Sequence, residues 1–274
     1  MTPKLIFLDV DGTLAEPGTY TVPESAQNAV RAARAAGHRV FLCTGRNYGM
    51  LKPLLSYGFD GYIGSAGGYV VCGGKVIYDC PMTPEQSERV LTLLKDNGIY
   101  RTVETLEVCY GDEGAAEYLG RAFGANSEAQ RMRRMMEEEL GVRPMHEYDG
   151  RPVYKVLFLC ADAAQLAPVR AALAGEFHAV VQDVFEGMGV NGELINRAFD
   201  KGSGVRRVAE ALGVPLSETI GFGDSLNDLE MMETVGFGVC MANGSEGLKR
   251  VSDMICPSLE EDGLAKAFET LRLV

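Results

Sequence analysis

The feature that most constrains the fold is a short apolar run, Leu5-Ile6-Phe7-Leu8, that stops abruptly at Asp9-Val10-Asp11-Gly12-Thr13. A run with no polar face must be buried on both sides, which is the situation of an inner strand in a parallel sheet. Parallel strands need crossover segments, and these follow. Thr21 and Glu24 have capping-box spacing, with Pro23 in the first turn, so a helix is predicted from there to about Ala36, stopped by Gly37. Val40 to Cys43 reads as the next buried strand. Tyr69-Val70-Val71 and Val76-Ile77-Tyr78, joined through Gly73-Gly74, read as a hairpin.

The same alternation resumes towards the C-terminus. A helix is predicted over 202–212, closed by Gly213, then a strand over 219–222, a helix over 226–233 and a strand over 237–241. The two ends therefore predict one doubly wound α/β domain built from residues 1–82 and 190–274. The middle reads differently. A helix from Pro84 ends at Asn97-Gly98. Short strands follow at 100–104 and 106–110, then a charged helix at 127–140, a strand at 153–160, a helix at 166–173 and a strand at 179–185. Pro81 and the Gly187/Gly189 pair bracket this block as hinges. The fold class expected is α/β, a Rossmann-like core with an α+β domain, residues 83–189, inserted into it.

Composition narrows the partners. Lys plus Arg number 26 and Asp plus Glu 38, a formal charge of -12, which gives no electrostatic footprint for nucleic acid and repels an anionic membrane surface. No apolar run approaches the roughly 18 residues of a membrane span, and the N-terminal run is too short for a signal peptide. The seven cysteines, at 43, 72, 80, 109, 160, 240 and 256, form no C-x-x-C pair and several sit in apolar runs. Buried free thiols in a reducing compartment are expected, and the cytoplasm is the expected location.

Four short motifs carry chemistry. In Asp9-Val10-Asp11 an apolar strand delivers two acids where it ends, the place where open α/β sheets bind ligands. One carboxylate can attack phosphorus while the other handles protons. A calcium loop would need a third acid or Asn at its fifth position and Gly at its sixth, and neither is here. A surface turn with two solvated acids is the other reading. Thr44-Gly45-Arg46 follows the second strand. Its hydroxyl and neighbouring backbone N–H groups can hold a phosphate oxygen, although Thr-Gly after a strand is usually only a turn. Lys201, at a helix N-terminus, suits a phosphate or an ionised carboxylate, or is a surface lysine. In Gly223-Asp224-Ser225-Leu226-Asn227-Asp228 two acids lie one helical turn apart at a strand end, a hard-oxygen set suited to Mg²⁺. Helix capping accounts for Asp224 but leaves Asp228 unexplained.

In this order, and with a domain inserted between the second and third motifs, the chain resembles the haloacid dehalogenase superfamily, specifically Cof-type phosphatases with a type-C2 cap. The resemblance spans essentially the whole chain. It implies that Asp9 attacks phosphorus to form an aspartyl-phosphate, and that Asp11 protonates the leaving oxygen and then activates water. It implies that Thr44, Gly45, Lys201 and Asn227 face the phosphoryl group, with Lys201 also neutralising Asp9. Mg²⁺ would be held by Asp9, the Asp11 carbonyl and Asp224, with Asp228 in close support. A metal on Asp9 would keep it ionised and leave Asp11 as the acid. The chain departs from the family at Ser65-Ala66-Gly67-Gly68, where members often carry Asn-Gly.

The function expected is hydrolysis of a small phosphorylated metabolite, a sugar phosphate or a phosphorylated cofactor precursor, by a monomer or weak dimer. A sugar phosphomutase and a catalytically silent binding module on the same fold are the alternatives.

Overall fold

The computed structural model describes residues 2–115, 118, 141–185 and 189–274. The charged helix expected over 127–140 and the Gly187 hinge lie outside them. The strands in chain order are β1 (Leu5–Leu8), β2 (Arg39–Cys43), β3 (Gly61–Gly64), β4 (Tyr69–Cys72), β5 (Lys75–Asp79), β6 (Tyr100–Thr105) and β7 (Cys109–Gly111). They continue with β8 (Arg143–Pro144), β9 (Val153–Cys160), β10 (Phe177–Phe185), β11 (Gly189–Asn196), β12 (Thr219–Gly223), β13 (Phe237–Met241) and β14 (Met254–Cys256). The chain divides into two compact units, Met1–Arg46 with Leu51–Asp79 and Phe199–Val274, and Asn47–Met50 with Cys80–Ala198.

The first unit is built on an eight-stranded sheet of order β14-β13-β12-β1-β2-β3-β4-β5. Its strands run parallel from β14 to β3, and the β4–β5 hairpin closes the edge antiparallel. Gly73 and Gly74 both take positive φ at that turn, which a side chain would resist. β1 is buried along its whole length, as its unbroken apolar run requires. Phe7 and Phe41 stack across β1 and β2 with ring centroids 5.4 Å apart.

Helix α1 (Glu24–Ala35) buries Ala26, Ala29, Val30 and Ala33, the period of one helical face. The Thr21–Glu24 capping box does not form: α1 starts after Pro23, which takes an extended conformation and gives no side-chain cap. The reason is local. A helix capped by Thr21 would make Val22 helical, and the residue before proline is disfavoured there. In the C-terminal half, the helix Lys201–Leu212 turns Val205, Val208 and Ala209 onto the sheet and ends at Gly213 in the left-handed conformation. Its Gly202 packs so closely that a Cβ would lie 2.2 Å from the carbonyl oxygen of Glu230. The helix expected over 226–233 is split into a 3₁₀ turn, Leu226–Asp228, and an α-turn, Leu229–Met232.

The second unit is a six-stranded sheet, β10-β11-β9-β6-β7-β8. It corrects the boundary expected at 189/190. β11 pairs antiparallel with both β9 and β10, so the first unit resumes only at Phe199. The helices Pro84–Asp96 and Ala163–Leu173 supply Val90, Leu94, Leu166, Val169 and Leu173 to a core with Val103, Val156 and Phe158. Thr83 and Asp162 cap these two helices with complete capping boxes. Arg101 forks onto Asp112 and also donates to the Leu91 carbonyl. Among the described residues no helix is long and apolar enough to cross a membrane.

Strand alternation puts Glu104 and Lys155, which are register partners, on the face away from Val103 and Val156. Lys155 Nζ lies 3.4 Å from Glu104 and 3.0 Å from Glu193, and Glu104 and Lys155 are both buried. Burial pushes Glu104 up to about 7 against the attraction of Lys155. The folded chain therefore keeps this proton over a range where the unfolded chain has lost it. Glu104 contributes fully below its ordinary value of 4.5, and the contribution is lost as pH rises through about 7. Glu104→Gln should flatten that decline. Urea denaturation of both proteins across this window checks it, and parallel pH profiles would contradict it.

Candidate active site

The site forms where β1, β2 and β12 end. Asp9 follows β1, and its backbone N–H donates to the Phe222 carbonyl of β12 at 2.9 Å, which fixes the two strand ends side by side. Asp9 is buried. Lys201 is the first residue of its helix, where Asp200 caps the end through Ser203. Its ammonium is also buried and donates to Asp9 Oδ1 at 2.6 Å, Asp228 Oδ1 at 2.6 Å and Asn227 Oδ1 at 3.2 Å. Lys201 is thus not a surface lysine. Burial alone would lower its pKa, but the carboxylates of Asp228 and Asp9 outweigh that and hold it above the usual lysine range.

Asp228 is fully buried. One of its oxygens takes Lys201, and the other accepts from the backbone N–H groups of Asp224 (3.0 Å) and Ser225 (3.2 Å). It clamps both the lysine and the turn that carries Asp224. Oxygens of Asp9, Asp224 and Asp228 lie within 4.8 Å of one another. Asp224 Oδ1 is buried with no hydrogen-bond partner among the described residues. Burial and the charge of Asp228 push Asp224 up to about 7, Lys201 only partly opposing them. An orphaned carboxylate oxygen beside a second acid is what a hard divalent cation takes, so these residues fit one. Gly12, at positive φ, leaves room for this carboxylate: a Cβ there would lie 2.3 Å from Asp224 Oδ2.

Asp11 is turned elsewhere. Its carboxylate is gripped by Arg46, Nε to Oδ2 at 2.9 Å and Nη2 to Oδ1 at 2.6 Å, and accepts a further bond from the Gly18 N–H at 2.8 Å. Thr44 is buried at the end of β2, and its hydroxyl accepts from the Arg46 N–H at 3.2 Å, with Gly45 half-buried between the two. The Ser65–Gly68 stretch hangs on the same segment. Ser65 N–H donates to the Arg46 carbonyl and Ala66 N–H to that of Thr44, with both residues at positive φ.

The protein's own groups act on Asp9 and Asp11 in opposite directions. Burial and Asp228 push Asp9 well up, despite Lys201. Asp11 is raised by burial, but the hydrogen bonds and charge of Arg46 win and bring it below the ordinary carboxylate range. The partner that decides this, Arg46, was visible in the sequence only as the residue after Thr44-Gly45. Nothing local shows that its side chain reaches back 35 positions to Asp11.

Two strand ends of a doubly wound α/β sheet thus carry acids around one buried lysine. The sequence profile of haloacid dehalogenase-like hydrolases matches residues 6–268, and the chain belongs to that family. The Bacillus subtilis (strain 168) protein YkrA is 30% identical over 280 residues, covering 100% of both chains. The 5-amino-6-(5-phospho-D-ribitylamino)uracil phosphatase YitU of the same organism is 27% identical, covering 96% of each. The crystal structure of a Geobacillus kaustophilus HTA426 protein is similar with a TM-score of 0.81 at 26% identity, covering 99% of this chain and 100% of that one. The chain is a phosphatase of this family.

Removing Asp228 tests the clamp. Asp228→Ala leaves a buried lysine with one carboxylate and two backbone N–H groups without an acceptor. It should cost about 3–5 kcal/mol of stability, the range for breaking a buried ion pair. Urea denaturation measures it, and a loss below about 1 kcal/mol, the size of an exposed pair, would contradict the clamp.

Proposed function

We propose that the protein is a Mg²⁺-dependent phosphatase of small phosphorylated metabolites that works through an aspartyl-phosphate on Asp9. The observation that carries this reading is the Lys201–Asp9 contact at 2.6 Å, with Asp228 holding the lysine from the other side. A buried carboxylate fixed against a buried ammonium is directed rather than solvated, as an attacking group must be.

Asp9, the Asp11 carbonyl and Asp224 would hold Mg²⁺, with Asp228 supporting the set; when bound, the ion supplies positive charge against the phosphoryl oxygens and the surrounding carboxylates. The chain's own residues do the rest. Lys201 offsets charge at Asp9 and the incoming phosphoryl group, and Thr44, Gly45 and Asn227 are assigned to its oxygens. An Asp9 oxygen attacks phosphorus, the bond to the leaving oxygen breaks, and that oxygen takes a proton from the Asp11 carboxyl. Water then attacks phosphorus and gives a proton to Asp11. The bond between phosphorus and Asp9 breaks, and inorganic phosphate leaves.

The substrate class proposed is a sugar phosphate or a phosphorylated cofactor precursor. The name of the relative YitU, a phosphatase of a ribitylaminouracil phosphate, supports the second of these. Phosphate release measured over a panel of phosphorylated metabolites tests the reading. Release should require Mg²⁺ and cease on chelation, and Asp9→Asn should lower turnover by about 10⁴-fold or more, the scale on which an enzyme loses its nucleophile. Full turnover in excess chelator would overturn the metal assignment. Transfer of phosphate between sugars without net release would favour a mutase, and no turnover on any compound would favour a binding module.

A further inference from the structure

Arg46 is 5% exposed, and its guanidinium is held on three sides. Nε and Nη2 fork onto Asp11, Nη2 also donates to the Thr19 carbonyl at 2.9 Å, and the group lies over the Tyr20 ring, 5.3 Å from its centroid. The remaining nitrogen, Nη1, is buried and has no hydrogen-bond partner among the described residues. An arginine placed only to fill space would not leave a buried donor unsatisfied, because such a donor costs stability. What the geometry does satisfy is Asp11, whose two oxygens are both taken in the one orientation that a planar fork allows. The backbone of the same residue is tied to the site as well, through the Thr44 hydroxyl on its N–H and the Ser65 N–H on its carbonyl.

We propose that Arg46 is a positioning residue for Asp11, aiming its carboxylate for the two proton transfers. This rests on the phosphatase reading above. Asp11 follows a strand end and its side chain is more than a third exposed, so its own backbone does not fix it. The fork adds two bonds to the one from the Gly18 N–H and so holds a part-exposed acid in one direction. A charge without a fork does not do this, so lysine is not an equivalent.

A double-variant cycle tests the inference, with a hexose phosphate and p-nitrophenyl phosphate as substrates in the presence of Mg²⁺. The alkoxide leaving group of the first needs a proton, whereas nitrophenolate is stable as an anion. Arg46→Met and Arg46→Lys should each lower kcat/KM on the hexose phosphate by about 100-fold, the cost of misplacing a reacting group. The loss on p-nitrophenyl phosphate should be at least tenfold smaller (~10), and phosphoenzyme should accumulate in rapid quench, because water still needs its base. Arg46→Met combined with Asp11→Asn should be no slower than Asp11→Asn alone, since the arginine acts only through that acid. Multiplying losses, equal losses on both substrates, or an Arg46→Lys protein with full activity would each overturn the proposal. Thermal melts of every variant separate a folding defect, which depresses both substrates alike. If Asp11→Asn itself discriminates as expected while the Arg46 variants do not, the positioning role fails and the phosphatase reading stands. If Asp11→Asn leaves the hexose phosphate rate intact, the reading of Asp11 fails, and with it any role acting through that acid.

Discussion

The arrangement depends on one buried cation. Lys201 touches Asp9 and Asp228 at 2.6 Å each, with all three side chains shielded from water. Ions taken out of water are tolerated only when they are paired and hydrogen-bonded, and this triad satisfies that condition by drawing on three separate parts of the sheet. Asp9 comes from the end of β1, Asp228 from the turn after β12, and Lys201 from a helix start whose Gly202 packs tightly enough to touch backbone. Shift any of the three and a charge is left uncompensated in the interior. The close packing and the electrostatics are thus one constraint.

Charge around the triad is unbalanced. Asp9, Asp11, Asp224 and Asp228 face Lys201 and Arg46, four acids against two bases. The imbalance is not spread evenly. Arg46 absorbs Asp11, Lys201 is shared between Asp9 and Asp228, and the deficit concentrates at Asp224, which keeps one buried oxygen without a partner. A cation and the dianionic end of a phosphorylated substrate would complete each other there. The acids alone would repel a phosphate, and the charge of Lys201 is already shared between two of them.

Much of this was legible in the sequence, and the reason is burial. Inner parallel strands are apolar without interruption, so the points where β1 and β12 stop and acids begin stand out, and they fall where open sheets bind ligands. The hairpin was equally plain from Gly73-Gly74. What escaped was set by tertiary contacts. The grip of Arg46 on Asp11 crosses 35 residues with no periodic signal. β11 carries Gly189, Asn191, Gly192 and Glu193, a composition that hides a strand, so the boundary of the second unit was placed too early. The second role of Asp228, a clamp on the turn that carries Asp224, was open to reading from the capping-box spacing of Ser225 and Asp228, and that box forms. Thr21 had the same spacing and failed, because Pro23 set the helix start instead.

The central claim is that Asp9 is the carboxylate that attacks phosphorus. Acid quench during turnover, borohydride reduction of the acyl phosphate and peptide mapping by mass spectrometry test it most directly. The account predicts that homoserine appears at position 9 and at no other acid. Reduction at another aspartate, or phosphate release with no reducible carboxylate at any time point, would contradict it.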